Sequence, residues 1–463
     1  MLLPMSPVDS MFLLAESREH PMHVGSLEIF QPPEGVDAHD MFAMLDRAVA
    51  DGDGLLQPQL SRRARRSLTT LGQWGWESVD VDLNHHVRHA ALPAPGGDAE
   101  LMTLCSRLHG SLLDRDRPLW EMHLIEGLSD GRFAIYAKIH HAVTDGVNSM
   151  KMLRRAFSDD AEERNMPAMW QQRHKKPAPA PSTNSSSASS IPGSALRAAR
   201  GAVGEVAGLV PALAGTVSRA LRDQGGPLTL PAPKTPFNVP ITSARQFAAQ
   251  SWSLERLRLV AKLSDSTIND VVLAMSSGAL RSYLQDQDAL PSDPLIAMVP
   301  VALTNQGEES SGNNVGVLMC NLGTHLAEPA DRLETIRKSM REGKEAYASR
   351  TSTQILAMSA LGMAGLAANV VFGHNTWLRP PFNLIISNVP GPRSQLYWNG
   401  ARLDALHSLS APVDGQGLNI TCTSNDDEIS FGVIGCRSAV PDLKSIPSRL
   451  GHELHTLERA LGI

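Results

Sequence analysis

The run His140-His141-Ala142-Val143-Thr144-Asp145-Gly146 gathers the residue types best suited to proton transfer. Histidine has an unperturbed pKa near neutrality, so one imidazole can take a proton and return it. The run follows Arg132–Ile139, whose apolar and aromatic alternation predicts a buried strand over Phe133–Ile139. Strand side chains point alternately to opposite faces, so His140 and His141 are expected to diverge. That argues against both chelating one metal. It leaves one imidazole for a cavity and the other for packing, with Asp145 and Gly146 closing the loop behind them.

Several elements must hold such a loop. Leu101, Leu104, Cys105, Leu108 and Leu112 fall at helical spacing. Leu295–Val301, Phe382–Ser387 and Ile429–Ile434 read as further strands. Thr267 followed by Asp270 forms a capping-box pattern, opening a helix over Ile268–Leu284. Strand and helix signals alternate in both halves, so the fold class is mixed α/β. Residues 171–193 turn abruptly to Pro, Ala and Ser, the composition of a flexible linker. Ser194–Arg222 then reads as a helix kinked near Pro211, with Arg197, Arg200, Arg219 and Arg222 among Ala, Gly, Val and Leu. It can dock on the protein's own surface or on anionic lipid. The expected organisation is residues 1–170, a linker and surface helix over 171–240, and residues 241–463.

Of the 463 residues 42% are hydrophobic and 19% charged, enough for a sizeable core. A net charge of −6 gives no electrostatic case for nucleic acid. Cys105, Cys320, Cys422 and Cys436 are scattered without a CxxC pair, which reads as reduced thiols in a cytosolic protein. The N-terminal segment is a poor signal peptide, and no apolar run reaches the ~18 to 20 residues that span a bilayer.

The HHxxxDG pattern of His140–Gly146 resembles the CoA-dependent acyltransferase superfamily, which includes chloramphenicol acetyltransferase and peptide synthetase condensation domains. Further stretches narrow the resemblance: Pro21–Leu27 (PMHVGSL), Arg117–Glu121 (RPLWE), Thr267–Leu273 (TINDVVL) and Phe382–Pro392 (FNLIISNVPGP). With Leu396–Ala401 and Leu418–Thr421, they are similar in order and type to the bacterial wax ester synthase/diacylglycerol acyltransferase family. The resemblance runs from near residue 5 to near residue 460 and is weakest between 175 and 240. It implies two chloramphenicol-acetyltransferase-like αβ subdomains with a substrate tunnel between them. It also implies transfer of a long-chain acyl group from acyl-CoA to a fatty alcohol, giving a wax ester, or to diacylglycerol, giving a triacylglycerol. Acyl-CoA is then a substrate and no cofactor or metal is expected. The implied location is cytoplasmic, at the periphery of the inner membrane or of lipid inclusions. Two other readings stay open: acylation of a different hydroxylated acceptor, and a non-catalytic lipid-surface protein. An intact HHAVTDG disfavours the last, since coating a surface needs no histidine pair.

Carried onto this chain, the motif makes His141 the general base, a function worth ~10² to 10⁴ in rate. Attack is then direct, in a ternary complex; no GxSxG elbow offers a serine nucleophile. His140 becomes a packing or hydrogen-bonding neighbour that fixes the loop. The resemblance makes Asp145 chiefly architectural, through a charged partner such as an arginine. Gly146 permits close approach or simply turns the chain. Asn269, in the first turn of its helix, is a candidate for ordering the oxyanion, with Asp270 as the cap partner of Thr267. Ser387 and Asn388 open a rigid Pro/Gly loop to Pro392 that is either a substrate-channel loop or a structural turn. Pro118-Leu119-Trp120 reads as packing beneath the site. Family members often carry Ser and Arg where this chain has Pro300-Val301-Ala302-Leu303-Thr304, so no role is transferred there. His85, His86 and His89 lack companion ligands at metal spacing. Arg62, Arg63, Arg65 and Arg66, near Trp74 and Trp76, form either a solvated basic face or a contact for CoA phosphates or lipid headgroups.

Overall fold

The structure, a computed structural model, describes residues 2–52, 54–67, 72–173, 232–302, 315–348, 354–355 and 380–463. Within them the first half supplies strands β1 (Leu2–Pro4), β2 (His23–Gln31), β3 (Arg62–Arg66), β4 (Trp74–Ser78), β5 (Val87–Ala91), β6 (Trp120–Glu126) and β7 (Phe133–His140). Its helices are α1 (Pro7–Ala15), α2 (Ala38–Asp51), α3 (Leu83–His86), α4 (Asp98–His109) and α5 (Gly146–Ala156). The second half supplies β8 (Arg245–Ser253), β9 (Ile296–Ala302), β10 (Val315–Asn321), β11 (Leu384–Val389), β12 (Tyr397–Trp398), β13 (Ala401–Leu409), β14 (Leu418–Asn425) and β15 (Glu428–Cys436). Its helices are α6 (Leu254–Leu263), α7 (Ile268–Gln285), α8 (Pro329–Ala348) and α9 (Ile446–Ala460). The strands form a three-stranded sheet, β1-β4-β3, and two six-stranded sheets ordered β12-β13-β2-β7-β6-β5 and β10-β9-β11-β14-β15-β8.

The sheets do not respect the division of the chain at 171–240. Strand β13, from the second half, pairs antiparallel with β2 from Gly25↔Leu409 to Gln31↔Arg402. It closes an edge that would otherwise leave a row of backbone groups unpaired. Leu403 and Leu406 join Phe30, Trp120, Leu124 and Phe133 in the same buried cluster. A second cluster mixes Leu27, Cys105 and Tyr136 of the first half with Phe247, Leu409 and Ile434 of the second. The two halves therefore share cores as well as a sheet.

Local expectations meet the structure with shifted ends. Strand β7 runs one residue further than the alternation predicts, because His140 still pairs with His23. Strand β15 extends two residues beyond Ile429–Ile434 at its far end, and β11 starts two residues later than Phe382. Helix α4 ends at His109 before Gly110, so Leu112 lies in the following loop, 39% exposed. Helix α7 begins behind a reciprocal cap, in which Thr267 N–H donates to Asp270 Oδ2 at 2.8 Å and Asp270 N–H donates to Thr267 Oγ1 at 3.2 Å. The linker expected over 171–193 lies outside the described residues from 174 onward, as does the whole helix expected over 194–222. All four cysteines are buried and free.

Candidate active site

Strand β7 delivers the two histidines to opposite sides, as its pleat requires. His140 is fully buried. Its Nδ1 accepts the Ala142 N–H at 3.0 Å, which folds the loop back on the strand end and leaves Nε2 as the protonated nitrogen. That Nε2 faces Glu16 Oε1 at 3.4 Å, close enough for electrostatic attraction but outside hydrogen-bond geometry. Glu16 in turn accepts from Arg115 Nε at 2.8 Å and from the Met22 N–H at 3.2 Å. Burial raises the carboxyl's pKa, but His140, Arg115 and the Met22 amide outweigh it, so the carboxyl titrates below its ordinary range. A carboxylate thus sits behind the buried histidine.

His141 points the other way. Its backbone N–H donates to the Met22 carbonyl at 2.8 Å, and its ring stacks on Phe12 of α1, with centroids 4.5 Å apart and planes 7° apart. Burial, with the neighbouring His140, pushes its pKa down to about 4. At neutral pH the imidazole is therefore unprotonated, the state a general base needs.

Asp145 is the N-cap of α5. Its Oδ1 accepts the Asn148 N–H at 2.7 Å and its Oδ2 accepts Asn148 Nδ2 at 3.0 Å. The arginine partner implied for it is not found: among the described residues it forms no ion pair with an arginine, because the helix end supplies its donors. Gly146 follows in ordinary backbone geometry, and a Cβ there would stand 3.3 Å from Val389 Cγ2 of β11. Close approach of the two halves, not turning, is what this glycine permits.

A cavity of about 590 Å³ opens at His141. Its wall joins β2 (Val24, Ser26, Glu28), β6 and β7 (Trp120, Met122, Ala137, Ile139) and α5 (Met150, Leu153, Ala156). The second half contributes Met298, Pro300, Val301, Val317, Ile385, Ser387, Asn388, Val389, Ser408 and Thr421. Such a volume and mostly apolar lining suit a small-molecule or lipid chain.

His141, Asp145, Gly146, Ser387 and Asn388 are thus brought to one cavity, with His140 behind it. Asn269 is not. It lies in the first turn of α7, which packs against α6, α8 and α9, and it is absent from the cavity wall. The cavity lining therefore gives the oxyanion assignment no support. Trp120 does more than pack beneath: it lines the cavity and donates from Nε1 to the Leu60 carbonyl at 2.8 Å. Residues 303 and 304 of the divergent segment lie outside the described residues, while Pro300 and Val301 line the cavity. His86 stacks on Trp120 and bonds the Trp120 carbonyl through Nδ1 at 2.7 Å, whereas His89 meets Asp46 at 2.6 Å. Arg63 and Arg65 both pair with Glu77, and Arg66 lies 4.6 Å over the Trp74 ring.

Phe12, Glu16 and Arg115 were not singled out from the sequence. A Glu-containing segment just before Pro21–Leu27 was the available signal, but nothing local says that it folds over residues 140 and 141.

The architecture defines a class first. It matches the first condensation domain of the calcium-dependent antibiotic synthetase with a TM-score of 0.58 over 99% of this chain and 97% of that one. At 16% identity this establishes the fold alone. A structure of the wax ester synthase/diacylglycerol acyltransferase from Marinobacter aquaeolei VT8 matches with a TM-score of 0.78 and 36% identity over the full length of both chains. Residues 5–272 match the wax ester synthase/diacylglycerol acyltransferase catalytic domain, and residues 311–458 match the C-terminal domain of that family. The chain therefore belongs to the wax ester synthase/diacylglycerol acyltransferase family. A putative diacylglycerol O-acyltransferase of Mycobacterium tuberculosis H37Rv is 49% identical over 467 residues, covering 98% of this chain and 90% of that protein. A probable diacylglycerol O-acyltransferase of the same strain is 45% identical, covering 99% of both.

Proposed function

We propose that this protein is an acyl-CoA-dependent O-acyltransferase that esterifies a fatty alcohol, a diacylglycerol or both. The observation that carries this reading is His141, unprotonated at neutral pH and facing a largely apolar cavity built by both halves. The His141 imidazole takes the proton of the acceptor hydroxyl as its oxygen attacks the thioester carbonyl. The new C–O bond forms a tetrahedral oxyanion that needs hydrogen-bond donors, and Ser387 and Asn388, which line the same cavity as His141, carry such groups. The C–S bond then breaks, the thiolate of CoA takes the proton back from His141, and the ester leaves with no covalent intermediate on the enzyme. Asp145 and Gly146 hold the loop and the approach of β11.

Lipid acceptors imply a lipid surface. None of the described helices is long and apolar enough to cross a membrane. Helix α1 instead exposes Met11 (58%) and Leu14 (64%) on one face, while its Phe12 covers His141. Val147, at the cavity wall, is 43% exposed. These residues form a peripheral docking face beside the site.

The test measures CoA release from palmitoyl-CoA with hexadecanol, dipalmitoylglycerol or no acceptor. Release above the acceptor-free background is expected with at least one lipid, and its absence with both defeats the assignment. In a folded His141→Ala variant the rate is expected to fall by about 10² to 10⁴; near-normal turnover removes His141 as the base.

A further inference from the structure

One group in the cavity is not used by the transfer chemistry. Strand β2 turns Val24, Ser26 and Glu28 to a single face, in register with Ile139, Ala137 and Ile135 of β7. Val24, Ser26 and Glu28 all line the cavity. His141 marks one end of this wall, through its backbone bond to Met22. Glu28 stands six residues further along the chain, roughly 20 Å at the rise of a strand. Beside it on the same face, Phe30 packs edge-on against Phe157, with centroids 5.5 Å apart, and Phe157 also lines the cavity. The carboxyl therefore lies at the far, aromatic end of a wall that begins at the reactive imidazole.

Glu28 is 5% exposed. Its polar surroundings are the Ser26 hydroxyl and its own backbone, and no cation stands near it among the described residues. Burial pushes its pKa up to about 7. A carboxyl in an apolar wall must keep a hydrogen-bond partner or bear the cost of desolvation. Ser26 and the Glu28 amide meet only part of the capacity of two carboxyl oxygens; water at that end of the cavity can meet the rest while the space is free of lipid, and a methylene that displaces the water cannot.

Resting on the acyl-transfer reading, we propose that Glu28 is a specificity-determining residue that fixes the far limit of the chain-binding cavity. Saturated chains that stop short of it are accepted, and those that reach it are disfavoured. The chain belongs either to the acyl donor or to the alcohol, and the experiment separates the two.

kcat/KM is measured for acyl-CoAs from octanoyl to behenoyl at fixed hexadecanol, and for alcohols from octanol to docosanol at fixed palmitoyl-CoA. Wild type and Glu28→Gln, which both keep a polar group at the far end, are expected to fall off at the same length in one series. That series identifies the chain that enters. In Glu28→Leu the fall-off moves to longer chains, and kcat/KM for the first disfavoured chain, relative to octanoyl or octanol, rises about tenfold. Superimposable profiles for wild type and Glu28→Leu in both series overturn the proposal. If Glu28→Leu does not fold by thermal melting, Glu28→Met carries the same comparison. A wild-type protein that releases no CoA with any pair defeats the transfer reading alone. Calorimetric binding of the same two series to wild type and Glu28→Leu then decides the role of Glu28: a shifted length limit supports it and an identical one overturns it.

Discussion

His141 and Glu16 are the residues through which the site's electrostatics can be measured. With its pKa depressed to about 4, chiefly by burial, His141 stays unprotonated well into the acid range. The base is lost only when it takes a proton, so kcat/KM is expected to fall as pH drops through about 4 and to show no histidine limb between pH 6 and 7. Protonation of a buried imidazole also opposes folding: the unfolded chain binds the proton first, so stability declines as pH falls from about 6.5, the ordinary histidine value, through about 4. The kinetic measurement is therefore made with a parallel thermal melt at each pH. Glu16 acts through its neighbours. Replacing it by Gln removes the charge facing His140 Nε2 and weakens the contact with Arg115. Stability is expected to drop by about 2 kcal/mol, the scale of a hydrogen bond to a charged group. The turnover of Glu16→Gln should fall further than its affinity for acyl-CoA, because the loop rather than the cavity wall is loosened. An equal loss in kcat and affinity, with an unaltered melting temperature, speaks against this role.

At the scale of elements, α1 has two faces with separate duties. Phe12 stacks on His141, while Met11 and Leu14 look outward. Burying a leucine-sized side chain is worth roughly 1.5–3 kcal/mol, so each of these two residues can change partition onto a lipid surface by about tenfold or more. Met11→Asp and Leu14→Asp are expected to reduce co-sedimentation with phosphatidylcholine vesicles containing diacylglycerol while leaving the melting temperature near wild type. Undiminished sedimentation of both variants moves the docking face elsewhere. Strand β7, the Thr267 cap and the divergence of His140 from His141 could be read from the chain because each is set by neighbours in sequence. The place of α1 over the histidines could not, since Phe12 and Glu16 reach residues 140 and 141 only after the sheet has formed. Asn269 shows the same limit from the other side. Its helix start was legible, but its place relative to the cavity depends on how α7 packs against α6, α8 and α9, which no local pattern reports.

The molecule as a whole is less divisible than its sequence. A Pro, Ala and Ser stretch between two α/β halves reads as a boundary between two subdomains, because composition reports where the chain is not packed and says nothing of which strands pair. Strand order supplies what composition leaves out: β12 and β13 return to the first sheet, bringing Leu396, Trp398, Leu403 and Leu406 into the core that also holds Phe30, Trp120 and Phe133. Residues 1–173 alone would leave β2 as an open, largely apolar edge and would lack those four side chains, each large enough to cost roughly 2–5 kcal/mol when cut back to a smaller one. That loss rivals the whole stability of an ordinary domain. The fragment 1–173 is therefore expected to aggregate or to show no cooperative melting by circular dichroism. Co-expressed with residues 232–463, it is expected to co-purify as a 1:1 complex that melts cooperatively, since β13 can pair with β2 without a covalent link. A fragment 1–173 that is monomeric by gel filtration and unfolds cooperatively on its own would show that the first sheet tolerates the loss of β13. The cavity, whose wall needs Ser387, Asn388 and Ser408 from the other half, would still be incomplete.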